Sequence, residues 1–142
     1  MVPSNLNAQE IAELKRKLQL KYRILGLLQK ALGLQTKLEK LQWEMVARKI
    51  AASHGIDEDV FVAVLYCESG MNPKAVNRNK NGTTDYGIAQ FNDYWYGAVI
   101  SSHDALNNPE LALNVMAEAW QEDRQHDWIC YRNKKYISWL NP

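Results

Sequence analysis

The 142-residue sequence has only two cysteines, Cys67 and Cys130, and three scattered histidines, His54, His103 and His126. The cysteines and the scattered histidines do not cluster into the ligand set of a zinc site, and neither a metal nor another cofactor is expected. Nothing beside Cys67 reads as a base that would make it a nucleophile. The two cysteines can form one disulfide or remain two buried thiols, and the sequence leaves both open. Long apolar runs are also missing. The longest, Val60 to Cys67, falls well short of the roughly 18–20 residues that span a bilayer, so the chain is not expected to cross a membrane. The opening Met1-Val2-Pro3-Ser4-Asn5 shows no basic stretch followed by an apolar block, so no export signal is visible. No internal repeat or low-complexity block occurs.

What is present is ordinary for a folded chain. A hydrophobic content of 46% with 23% charged residues excludes disordered and fibrous classes. The net charge of +1 hides an asymmetry: residues 1 to 50 hold ten Lys and Arg against four Asp and Glu, and residues 51 to 142 hold seven against twelve. The two segments are therefore expected to do different work, with 1–40 as an N-terminal helical arm and 41–142 as the main domain. The basic residues from Lys15 to Lys30 read as the solvated face of a helix, with attraction to a polyanion as the alternative. No recognition motif accompanies that charge, so a nucleic acid is not the expected partner.

Along the arm, Asn7-Ala8-Gln9-Glu10 resembles a capping box, and apolar residues recur at spacings of three and four from Ile11 to Leu32. Gly33 offers a left-handed stop and Thr36-Lys37-Leu38-Glu39 a second capping box, so two helices are predicted, the second ending at His54-Gly55. Residues 8–54 can pack against their own domain, associate with a second copy, or dock a partner. A third helix is predicted over Glu58 to Ser69, capped by Asp57, stopped by Gly70, and apolar nearly all round. Asn81-Gly82 marks a hairpin between Ala75–Asn79 and Thr83–Ile88. Asn108-Pro109 opens another helix through Gln121. Trp128 to Trp139 forms an aromatic-rich final segment, helical at its start.

Cleaving an acetal between sugars needs a proton for the departing oxygen and negative charge beside the oxocarbenium-like carbon, roles that two differently titrating carboxyl groups can fill. A carboxyl at the end of a buried apolar helix is desolvated and its pKa rises, whereas one on a polar hairpin stays ionised. Glu68 fits the first description and Asp85 the second.

The wording around them is more specific. Glu68-Ser69, then Asn77-Arg78-Asn79, the Asn81-Gly82 turn, Thr84-Asp85-Tyr86-Gly87-Ile88 and Gln90-Phe91-Asn92 together resemble the central motif of the chicken-type lysozymes. They are also similar to the lytic transglycosylases that share that fold, and Asn72-Pro73-Lys74 and Asn108-Pro109-Glu110 lean toward the bacterial and phage members. The resemblance covers roughly Asp57 to Asn133 and does not reach residues 1 to 40. It implies an α+β, mostly α, lysozyme-like fold with a small antiparallel sheet beside the active-site cleft. Carried over residue by residue, it makes Glu68 the general acid and Asp85 the nucleophile or stabiliser of the sugar cation. Asn77, Asn79, Gln90 and Asn92 would line the cleft, and Trp95 and Tyr96 would form an aromatic wall for the sugar. Trp128, in a segment resembling the family's Trp-x-x-aromatic-Arg-Asn, would keep Glu68 dry.

The activity implied is cleavage of the β-1,4 bond between N-acetylmuramic acid and N-acetylglucosamine in peptidoglycan glycan strands. Hydrolysis is preferred because Asp85 is present. Lytic transglycosylation by Glu68 alone, giving 1,6-anhydromuramic ends, is the first alternative, and a non-catalytic module binding wall glycan is the second. Such a substrate implies a secreted, periplasmic or cell-wall location.

Overall fold

The computed structural model describes residues 6–140. The chain divides into two units, Met1–Glu39 and Lys40–Pro142. The protein is mostly helical with one small antiparallel sheet, an α+β architecture.

Among the described residues of the first unit the only regular element is helix α1 (Ala8–Ser53), whose final turns, from Lys40, belong to the second unit. Its start is the predicted capping box: the Asn7 side chain accepts from the Gln9 and Glu10 amides, and Glu10 accepts from the Asn7 amide. The predicted stop at Gly33 does not occur. Helix continues through Gly33 and Thr36, and the Thr36 hydroxyl donates back to the Leu32 carbonyl at 3.1 Å instead of capping a new helix. A glycine permits a left-handed stop but does not impose one, and a threonine inside a helix can bond one turn back.

The second unit is built around α2 (Glu58–Ser69), found with the bounds the sequence predicts. The Asp57 side chain accepts from the Val60 amide at 3.0 Å, and Gly70 ends the helix in the left-handed conformation at φ 64°. Five consecutive residues, Phe61 to Leu65, are buried, because helices close in on several sides of α2. Ala47, Ile50 and Ala51 at the end of α1 cover part of it, and α5 (Pro109–Gln121) contributes Leu113, Met116 and Trp120 to the same core. Burying each Leu, Ile, Phe or Met side chain there contributes about 1.5–3 kcal/mol. Polar contacts join α1 to α2 at the rim: the Tyr66 hydroxyl donates to Glu44 at 2.9 Å, and Arg48 pairs with Asp59 at 2.7 Å.

The sheet follows α2, with β1 (Val76–Arg78), β2 (Thr84–Tyr86) and β3 (Phe91–Asn92) in that order. The Asn81-Gly82 turn lies in a five-residue connection, longer than the dipeptide alone requires. The Thr83 carbonyl accepts from the Asn79 amide and the Asn81 side chain accepts from the Thr83 amide. Two short helices, α3 (Asp93–Tyr96) and α4 (Ser102–Asn107), lead to α5. After a 3-10 turn at Gln125–Asp127, α6 (Ile129–Arg132) and α7 (Ile137–Leu140) finish the described chain. No helix among the described residues is long and apolar enough to cross a membrane.

Candidate active site

The site forms where the C-terminal end of α2 meets the sheet. Ser69 fixes that junction by donating to the Ile88 carbonyl at 2.7 Å. Cys67 fixes it covalently through a disulfide to Cys130, which resolves the alternatives left by the sequence in favour of the bridge. Between these two anchors lies Glu68, partly buried, with its Oε1 accepting from the Cys130 amide at 2.9 Å. Burial pushes its carboxyl above the ordinary range; the Cys130 N–H pulls it back, and the Asp85 charge raises it again. Lys135 and Arg132 oppose the rise more weakly.

Asp85 occupies a different environment. It is the middle residue of the middle strand, directly opposite Asn77 on β1 and Asn92 on β3. Residues opposed in this way present their side chains to one face. One Asp85 oxygen accepts from Asn92 Nδ2 at 2.7 Å and the other from Asn79 Nδ2 at 3.0 Å. Asp85 thus has two amide donors, whereas Glu68 has one donor and drier surroundings.

The remaining expected residues separate by role. Asn79 and Asn92 clamp Asp85, and both also donate to the Thr83 hydroxyl. Asn77 donates to Gln90 Oε1 at 2.6 Å. Gln90 is buried, adopts a left-handed backbone at φ 52°, and donates to the Gly87 and Ala75 carbonyls. Its side chain thus holds the sheet connection together. The expected wall of Trp95 and Tyr96 is split. Trp95 is 73% exposed, but Tyr96 is buried against Phe91 and Trp128 and donates to Asp127 at 2.6 Å. Burial and the Asp127 carboxylate both raise the Tyr96 pKa. The exposed partner of Trp95 is Tyr94, in edge contact at 4.9 Å between ring centres. Trp128 is buried and donates through Nε1 to the Ala89 carbonyl at 2.7 Å, at the entry to the turn whose Cys130 amide holds Glu68.

Three contributors were not singled out from the sequence. Thr83 is the shared acceptor for the two asparagines, and nothing but its place in the hairpin marks it. Tyr94 adjoins the expected aromatic pair, and only the helical rotation of α3 reveals which ring faces out. Gly87 lies at φ 79° where a Cβ would run into the Ala105 carbonyl, a demand that its place after Tyr86 only hints at.

A partly dry glutamate at the end of a buried helix, set near an amide-clamped aspartate on a small polar sheet, places the protein in the lysozyme-like superfamily. More narrowly, the chain belongs to the family described as Transglycosylase SLT domain, whose profile matches residues 45–124. It is also similar to Lysozyme C-1 of Anas platyrhynchos, with 35% identity over 80 residues covering 47% of this chain and 54% of that protein. Lysozyme C, milk isozyme, of Canis lupus familiaris is 36% identical over 77 residues, covering 54% and 56%. Protein IpgF of Shigella flexneri is 44% identical over 78 residues, covering 52% and 51%. The chain spans about half the length of these relatives.

Proposed function

We propose that the protein is a peptidoglycan-cleaving muramidase that acts on the β-1,4 bond between N-acetylmuramic acid and N-acetylglucosamine. The observation that carries this reading is the unequal pair of carboxyl groups: Glu68 desolvated with a raised pKa, Asp85 clamped by the side-chain amides of Asn79 and Asn92. In this reading protonated Glu68 gives its proton to the glycosidic oxygen as the bond to C1 breaks, and N-acetylglucosamine leaves as the alcohol. The Asp85 carboxylate attacks C1 or stabilises the cation. Glu68, now ionised, takes a proton from water as that water attacks C1, and both carboxyl groups return to their starting states. Trp128 shields the acid, Asn77 and Gln90 hold the sheet together, and the exposed Trp95 and Tyr94 rings offer apolar area to a sugar face. The substrate implies action outside the cytoplasm, and a disulfide suits an oxidising compartment.

The family membership favours a second reading, lytic transglycosylation. There the ionised Glu68 takes its proton from the muramic acid's own hydroxyl, which closes onto C1 and leaves an anhydro end. Digestion of purified peptidoglycan followed by mass spectrometry decides between them. Hydrolysis gives reducing muramic ends; products one water lighter would overturn it. Asp85→Asn is expected to cripple a hydrolase and to injure a transglycosylase much less. Glycan binding by folded protein with no cleavage would leave only a binding module.

A further inference from the structure

The first unit carries a second pattern that the site does not use. From Leu20 to Leu38 the helix repeats apolar residues at alternating spacings of four and three: Leu20, Ile24, Leu27, Ala31, Leu34 and Leu38. All six are exposed, Leu27 and Leu34 at 66% each. Alongside this seam runs a row of basic residues spaced by seven, Arg16, Arg23, Lys30 and Lys37. None of the four enters an ion pair among the described residues. A strict seven-residue repeat is what a partner helix requires, since a seam that drifts out of register loses contact with it; a flat lipid surface imposes no such repeat. Gly26 and Gly33 each weaken the helix by about 1 kcal/mol relative to alanine. Packing of the apolar face against something else is the ordinary remedy.

Charge selects the occupant. In an antiparallel pair of identical helices the basic row would face itself. In a parallel pair each basic residue would face the residue five further along the second copy, which places Arg23 by Leu28 and Lys30 by Gln35. Neither arrangement supplies an opposite charge. We propose that residues 16–38 form the docking surface for an amphipathic helix of another protein, one with heptad-spaced apolar residues flanked by glutamate or aspartate.

Two synthetic four-heptad peptides with identical leucine seams, one flanked by Glu and one by Lys, test this against the full chain by fluorescence anisotropy. The Glu peptide should bind about tenfold or more tightly than the Lys peptide, and its affinity should fall as salt rises. The triple variant Arg23→Glu, Lys30→Glu, Lys37→Glu should reverse the preference, with helicity checked by circular dichroism. Leu27→Asp with Leu34→Asp should abolish binding of the Glu peptide. Binding of neither peptide by the unaltered chain, or equal binding of both, overturns the proposal. So does sedimentation as a defined dimer that takes up no peptide. Retention on vesicles of phosphatidylglycerol and phosphatidylcholine without binding of the Glu peptide also overturns it, in favour of a lipid surface.

Discussion

Leucine and isoleucine recur at helical spacing in both units, yet their fates differ. In α2 and α5 apolar side chains such as Leu65, Leu113 and Met116 are fully enclosed, while Leu25, Leu27 and Leu32 in the first unit are each more than half exposed. Periodicity tells which face of a helix is apolar; it does not tell what will cover that face. In the second unit the cover is supplied by other helices of the same chain, and the enclosed space is what dries Glu68. Among the described residues of the first unit there is no such enclosure.

The largest effect should come from the carboxyl group that the enclosed region dries, Glu68. Glu68→Gln is expected to lower turnover on peptidoglycan by roughly 10²–10⁴-fold, and retained activity would remove Glu68 from its role. The same variant tests the drying itself. Because the folded-state pKa of Glu68 is raised, the stability linked to it is fully present below the ordinary carboxyl value and is lost as pH rises through the raised one. Glu68→Gln cannot ionise, so its stability advantage over the unaltered protein should appear above that window and vanish below it, as read by thermal melts across pH.

Phe61→Ala comes next. It removes a fully buried ring that contacts Trp120 edge-on at 5.1 Å, and a cost of about 3–5 kcal/mol is expected in urea unfolding. Replacing Cys67 and Cys130 by serine opens a loop with a sequence separation of 63; a loss of about 2–4 kcal/mol is expected in the same assay. Leu25→Ala should be the mildest, within about 0.5 kcal/mol and without effect on cleavage. A large loss there would mean that the exposed face is covered in solution and would erase the contrast between the units.

The parts legible in the sequence were those set by local rules. Asp57, Gly70 and the apolar run between them give α2 its bounds, and Asn108-Pro109 opens α5 with the Asn108 side chain accepting from the Leu111 amide. Asn81-Gly82 marks the hairpin. Glu68 and Asp85 stand out because desolvation and polarity can be inferred from their neighbours. What could not be read depends on choices between competing local options or on distant contacts. Thr36 had two uses for its hydroxyl, and the helix took the one that continues it. Gln90 looks from the sequence like a cleft residue, but the turn of the chain at Gly87 brings the Ala75 and Gly87 carbonyls within its reach. Tyr96 faces inward because Asp127, far along the chain, accepts its hydroxyl.

The bridge between Cys67 and Cys130 joins the backbone neighbour of Glu68 to the very residue whose amide donates to the Glu68 carboxylate. One covalent tether therefore sets both ends of that hydrogen bond. Cutting it with a reductant should do more than lower the melting temperature: it should free the carboxylate from its donor, shift the alkaline limb of the rate profile upward, and make the acid's titration a gauge of the protein's redox history.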